Sequence, residues 1–474
     1  MEFEAIIGLE IHVEMETKSK MFSSIPVTYG ELANSQTGIY DLGFPGVMPT
    51  VNKQAVINAI RVCHALQMKI DDILIFERKN YFYSDLSKGY QITQQFRPIG
   101  KDGILVVKTS SGDKQIGIER VHLEEDACKQ IHFKDRTLVN YNRSGIPLIE
   151  IVSKPEISSG EEAAKYVEKI RSIVSFLEVS SGKMEEGALR CDTNVSVREK
   201  GSSDFGIKVE IKNVSGLANI QRAIDYEISR QTAILKKGDA VKKETRRYDE
   251  DNQVTVLMRA KNDPIDYKYF TDTNIPPIKL SNDFIREAIS TSPELADAKC
   301  LRYMTMGLNE YDCSLITSEV ELSKYFDEAV RTGVSPKLLA NWINDEVKNY
   351  LKRNDITIKE FAISPTRLAD LIKLIESGKI SNKQARDIFL KMFEKNISPN
   401  KILEESENYQ ISDPTTIQKV IIDVLNDNPK LIGDYKKGNE KVIGFIVGQA
   451  IKFTNGKVNP NLTTKLVIEE LKRR

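Results

Sequence analysis

Apolar and polar residues alternate strictly near the start of the chain: Ile7, Leu9, Ile11, Val13 and Met15 interleave with Gly8, Glu10, His12, Glu14 and Glu16. A period of two predicts a strand with one face in a core, and puts Glu10 and His12 on its other face, roughly 7 Å apart. The segment IGIERVHLEEDA alternates as well, with Glu125 on the side of Val121 and Leu123 and Glu124 on the side of His122 and Arg120. GIPLIEIVSKP reads as a fully buried strand interrupted by one acid, Glu150. ALRCDTNVSVR gathers Arg190, Asp192, Asn194, Ser196 and Arg198 on one face. A helix starting near Asn52 carries the stripe Ile57, Ile60 and His64, so His64 is expected to be a core histidine rather than a ligand.

The pattern changes after Pro276-Pro277, a pair that fits neither a helix interior nor a central strand. Ser335-Pro336 opens a helix through SPKLLANWINDEVKNYLKRN, with Leu339, Trp342, Ile343, Val347 and Tyr350 at spacings of three and four. Ser364-Pro365 opens a second that stops at Gly378. Ser381 and Gln384 form a capping box on a third. ILEESENYQISD reads as a linker to a last helical segment. The expected fold is α+β: a large N-terminal domain with a mostly antiparallel sheet (1–294), an all-α domain (295–405) and a small helical tail (406–474).

Length agrees, since 474 residues at about 150 per domain make roughly three. The 40% hydrophobic and 29% charged content is that of a folded globular chain. With 68 basic and 68 acidic side chains, the total says nothing in favour of nucleic-acid binding, so any basic surface must be local. From Pro429 to the end there are ten basic residues against four acidic ones. Five scattered cysteines without a CxxC pair fit reduced thiols, and no apolar run nears the ~20 residues of a membrane span. A cytoplasmic protein without a signal peptide or membrane contact is expected.

Acids inside strands need a cation or a donor. Two readings are open: Glu10, Glu125 and Glu150 converge with His12 on a metal, or each pairs with an arginine such as Arg120, Arg143 or Arg190. A carboxylate-rich site with one imidazole suits Mg²⁺ or Mn²⁺, the histidine leaning toward Mn²⁺ or zinc. Such an ion would serve phosphoryl transfer. The face of Arg190, Asp192 and Asn194 could meet phosphates, or be an edge strand. The chain lacks GxxxxGK[ST] and GxGxxG, so nucleotide binding would use neither a P-loop nor a Rossmann turn. ERKNYFYSDLSKGYQITQQ, dense in Arg78, Lys79, Tyr81, Phe82, Tyr83, Asp85 and Tyr90, is a candidate binding loop.

GLEIHVEMETKSKMF, FERKNYFYSDLSKGYQITQ, GIERVHLEEDA, NRSGIPLIEIVSKPEI, ALRCDTNVSVR, EIKNVSG and the tail NPKLIGDYKKGNEKVIGFIVGQAIKFTNGKVNP resemble, in order, motifs of the B subunit of the aspartyl/glutamyl-tRNA(Asn/Gln) amidotransferases. The similarity spans essentially all 474 residues. It implies a cradle-like first domain, a helical domain and a YqeY-like tail; together with the basic surplus there, this leads to the expectation that the tail grips tRNA through residues such as Lys436, Lys437, Lys452 and Lys457. It also implies a glutaminase A subunit and a small C subunit as partners. ATP and Mg²⁺ would activate the side-chain carboxylate of Glu or Asp mischarged on tRNA(Gln) or tRNA(Asn), and ammonia from the A subunit would displace phosphate. The resemblance puts a metal site on Glu10, His12, Glu125 and Glu150 with Glu124 close by, and a catalytic role on Lys79 and Glu125 where ammonia arrives. Glu125, or another acid where ammonia arrives, is expected to take a proton from ammonium. Many relatives have a cysteine zinc cluster after KSKMF; MFSSIPVTYGELANSQTGIYDLGFPG has no cysteine, so no structural zinc is expected. A non-catalytic RNA-binding adaptor and a metal-dependent hydrolase are the competing functions.

Overall fold

The alternating segments pair with one another. In the computed structural model, which describes residues 2–212, 214–260, 266–406, 413–436, 439–454 and 458–474, they form one nine-stranded sheet. Its strands are β1 (Phe3–Glu14), β2 (Lys69–Ile70), β3 (Gly100–Thr109), β4 (Gly112–Glu125), β5 (Pro147–Ser153), β6 (Leu189–Glu199), β7 (Val209–Lys212), β8 (Glu244–Asp249) and β9 (Val254–Ala260). Their order is β9-β8-β7-β6-β1-β5-β4-β3-β2. Every pair is antiparallel except β7 with β8. The sheet belongs to the unit Met1–Leu295, and Ala296–Arg474 forms a second, helical unit. The fold is therefore α+β with a large, mostly antiparallel sheet.

Three helices, α1 (Lys53–Ala65), α2 (Gly160–Phe176) and α3 (Leu217–Lys236), cover one face of the sheet. Their apolar stripes merge with Leu9, Ile11, Val121, Leu123, Ile149 and Ile151 in a single core. Asn52 caps α1 by accepting from the amides of Gln54 and Ala55, and Ser159 caps α2 by accepting from Glu162 N. Gly160 lets α2 start against α3, because a Cβ there would lie 2.4 Å from Gln221 O. His64 corrects the expectation of a core histidine. The buried face of α1 runs through Val56, Ala59, Ile60 and Cys63, which turns His64 toward solvent.

A smaller sheet, ordered Phe270–Thr271, Glu77–Asn80, Tyr90–Thr93, stands beside β4. The backbone amide of Ile92 donates to Glu125 and that of Leu123 donates to Gln94 Oε1, which ties the two sheets together.

The helical unit has two separate cores, one from Tyr303 to Leu403 and one from Ile417 to Leu471. The caps at Ser335, Ser364 and Ser381 are formed. The segment expected as one helix after Ser335 contains a π-helical turn, Ile343–Val347, between Pro336–Trp342 and Lys348–Asn354. The expected linker is also shorter than the sequence suggested. Ile402 and Leu403 are buried, so helix Pro399–Ser406 takes its first half, and residues 407–412 lie outside the described residues.

Candidate metal centre and its surroundings

β1 lies between β6 and β5, with His12 opposite Arg190 on one side and opposite Glu150 on the other. β5 then sets Glu150 opposite His122 of β4. Residues paired directly across a ladder share a face. Arg190, His12, Glu150 and His122 therefore form a row across four strands, on the face opposite α1–α3.

Within the row, Glu150 Oε2 lies 3.3 Å from His12 Nε2 and 3.1 Å from His122 Nε2. Glu124, two residues along β4 from His122, brings Oε1 to 3.6 Å from His12 Nε2 and Oε2 to 3.8 Å from His122 Nε2. Burial works against charge on both imidazoles, but the two carboxylates outweigh it: His12 is raised above its ordinary value and His122 is pushed up to about 9. Burial likewise opposes the Glu150 carboxylate, yet the two rings hold it well below the usual range. Potential ligand atoms of His12, Glu124 and Glu150 all lie within 4.8 Å of one another. Ligands about 2.0–2.2 Å from a shared ion are separated by about 3–4.4 Å, so a divalent cation fits this group with little movement. One imidazole and two carboxylates suit Mg²⁺, Mn²⁺ or Zn²⁺ by donor type.

The remaining expected site residues fall in different places. Glu10 stands next to His12 on the same face and accepts a 3.0 Å hydrogen bond from Asn194. Burial raises its carboxyl, and the negative charges of Glu150 and Asp192 raise it further. Asp192, opposite Glu10, binds Lys212 Nζ at 3.0 Å. Arg190 is held by Asp126 at 3.1 Å. Lys79 has no ion-pair partner among the described residues and lies 5.0 Å from the centre of the Tyr267 ring. Burial lowers its ammonium, but Glu124, Tyr269 and Glu150 raise it to a net increase.

Glu125 is not in the metal group, which corrects its expected place there. Strand alternation sends it to the opposite face from Glu124, where Lys88 Nζ lies 2.6 Å from both of its oxygens. The arginine alternative applies to other acids: Arg143 pairs with Glu14 and with Asp126. Arg120 Nε has no hydrogen-bond partner among the described residues.

Sequence reasoning left His122 out of the site although its shared side with Glu124 marked it. Lys88, Asp126 and the Tyr267–Tyr269 segment gave no periodic signal. In the tail, Lys436 and Lys452 are exposed, while Lys437 and Lys457 lie outside the described residues.

Known proteins give this arrangement a class. Residues 5–286 match the family model described as the GatB/GatE catalytic domain, and residues 324–471 match that described as the GatB domain. The aspartyl/glutamyl-tRNA(Asn/Gln) amidotransferase B subunits of Geobacillus thermodenitrificans, Geobacillus kaustophilus and Bacillus licheniformis are each 44% identical to this chain over 476 aligned positions, covering 100% of both chains. The chain belongs to the GatB family of tRNA-dependent amidotransferase subunits.

Proposed function

We propose that this chain carries out ATP-dependent amidation of Glu on tRNA(Gln), Asp on tRNA(Asn), or both, as the B subunit of a complex with a glutaminase A subunit and a small C subunit. The supporting observation is the compact His12–Glu124–Glu150 group at the centre of a sheet whose whole chain aligns with named amidotransferase subunits. The reaction uses cytoplasmic tRNA and ATP, so the chain works in the cytoplasm. Among the described residues no helix is long and apolar enough to cross a membrane.

The chemistry follows from the substrate. A carboxylate is a poor electrophile. Its oxygen attacks the γ-phosphorus of ATP, ADP leaves, and the acyl phosphate now has a good leaving group. Ammonia attacks the acyl carbon, the C–O bond to phosphate breaks, and the amide remains. His12, Glu124 and Glu150, with Glu10 beside them, would hold Mg²⁺ or Mn²⁺. The bound ion supplies neutralisation of phosphoryl charge. Arg190, fixed by Asp126, offers a cation to phosphate oxygens from the same face, and Asp192 and Asn194 orient Lys212 and Glu10 there. Lys79, without a carboxylate partner of its own among the described residues, draws anionic substrate toward Glu124 and Glu150. Glu125, on the other side of β4 and paired with Lys88, is the acid this proposal assigns to take the proton that ammonium loses, on the side from which ammonia would arrive.

Reconstitution with A and C subunits, ATP, Mg²⁺ and mischarged tRNA tests the assignment. Amide product that disappears with a chelator is expected, and an RNA adaptor would give none. Ammonium salt in place of the A subunit should also support product, whereas a hydrolase would consume ATP or RNA without forming amide. In that assay Glu125→Gln is expected to lose amide formation while mischarged-tRNA-dependent ADP release continues; full amidation would remove Glu125 from the reaction.

The tail supplies the RNA grip in this proposal, through Lys436, Lys437, Lys452 and Lys457 and the surplus of six positive charges after Pro429. A chain ending near Asn408 should bind tRNA more weakly and with a shallower salt dependence, measured by filter binding across a salt series. Divalent-metal binding should survive, because the metal group lies in the first unit.

A further inference from the structure

Beside the candidate binding loop, which supplies Tyr81, stands a group of rings with no part in the phosphoryl or amide chemistry. Tyr81, Tyr267, Tyr269 and Phe96 form a continuous line, each edge-to-face with the next: 5.9 Å between Tyr81 and Tyr267, 5.9 Å between Tyr267 and Tyr269, and 6.0 Å between Tyr269 and Phe96. Such a line inside a core would be ordinary packing. Here the three tyrosines are only partly covered and Phe96 is 66% exposed.

The backbone beneath the rings is fixed. Asn80 N donates to Tyr267 O at 2.9 Å, Asn80 Nδ2 donates to Lys268 O at 2.7 Å, and the strand Phe270–Thr271 pairs with Arg78 and Glu77. Lys79 Nζ lies 5.0 Å from the Tyr267 ring centre and 5.9 Å from that of Tyr81, and Lys79 shares a face of the small sheet with Thr93, whose Oγ1 donates to Glu124 Oε2 at 3.5 Å. The line of rings thus starts at the lysine on the sheet face that reaches Glu124 and runs out to an exposed phenylalanine.

Partly exposed aromatic rings on a fixed backbone, with a cation at one end, are what a flat base attached to a phosphate or ribose requires. We propose that Tyr81, Tyr267, Tyr269 and Phe96 form a stacking platform for an adenine ring, with Lys79 directing the attached sugar-phosphate toward His12, Glu124 and Glu150. The inference rests on the amidation reading, in which both large substrates present adenine: ATP itself, and the 3′-terminal adenosine that carries the amino acid on tRNA. The shared chemistry is the purine, and its source is decided by experiment.

The test uses the complex with its A and C subunits. Tyr267→Leu and the exposed Phe96→Ala are compared with Tyr267→Phe for the KM of ATP, the KM of mischarged tRNA, and binding of uncharged tRNA with and without its terminal adenosine. Loss of a stacking ring is expected to cost about ten-fold. If ATP is the source, its KM rises and tRNA binding is unchanged. If the tRNA end is the source, the tRNA KM rises and the preference for tRNA bearing the terminal adenosine shrinks. In either case Tyr267→Phe, which keeps the ring, should restore the wild-type value. Unchanged values in both Tyr267→Leu and Phe96→Ala would overturn the platform, as would a Tyr267→Phe defect equal to that of Tyr267→Leu. Were the wild-type complex to make no amide, the amidation reading would fail. Binding of the two tRNA forms and of ATP, measured directly, would still decide whether the rings hold a base.

Discussion

Glu150→Gln is expected to abolish detectable divalent-metal binding and to lower amide formation by more than about a hundredfold. Glu150 is paired in register between His12 and His122, at 3.3 Å and 3.1 Å, nearer to both imidazoles than Glu124 is. Losing an outer-shell partner of a metal ligand already costs about 10–100-fold. In the proposed site this substitution removes a ligand and the counter-charge of two rings together. The amide is nearly isosteric, so the sheet should persist. The check is a Mn²⁺ titration followed by electron paramagnetic resonance, with amidation assayed in parallel and folding followed by circular dichroism. Wild-type Mn²⁺ affinity in the variant would remove Glu150 from the metal group.

Lys88→Met should destabilise the first unit by about 3–5 kcal/mol, the cost of leaving one member of a buried ion pair without the other. Lys88 Nζ is 2.6 Å from both oxygens of Glu125, and the two side chains are 7% and 3% exposed. The lysine also lies 4.4 Å above the Tyr40 ring and donates to Tyr40 Oη at 3.2 Å. Lys88→Met/Glu125→Gln should recover a large part of the loss, because the uncompensated charge is gone. Denaturant midpoints of the three proteins test this. A single variant as stable as wild type would show that Glu125 finds another partner, and a double variant no better than the single would place the cost in packing around Tyr40.

These two acids also show how far the sequence reaches. The alternation through β1, β4, β5 and β6 foretells the strands, and parity alone assigns Glu124 and Glu125 to opposite sides of β4. It does not say which side of β4 continues the polar side of β1, because that depends on β5 lying between them and on the register His12–Glu150–His122. With that register, Glu124 joins the metal group and Glu125 goes to Lys88. His122 was legible by the same parity. Lys88 and Asp126 were not, since they lie in connections where neither period applies. Tyr267 and Tyr269 come from far along the chain and reach Lys79 through the pairing of Phe270 with Arg78 and the hydrogen bonds of Asn80 to Tyr267 and Lys268. His64 shows the reverse case: a helical stripe drawn through three residues points the wrong way when the buried face is set by Val56, Ala59, Ile60 and Cys63. In the tail, a basic surplus can be counted from sequence, but its arrangement on the surface cannot.

The group His12–Glu124–Glu150 also bears on how the protein folds. Its members come from three strands that are adjacent in space, with His12 more than a hundred residues from Glu124 and Glu150 along the chain, so no local fragment can assemble the candidate cation site. Pairings of this kind form slowly, since loop closure must be overcome before the contacts repay it. Recovery of metal affinity during refolding should therefore lag behind helix formation and report closure of the central sheet. Any cation that binds only the completed group also draws the population toward the folded form, so the cell's divalent ions would act on this subunit as a folding ligand before they act on its substrates.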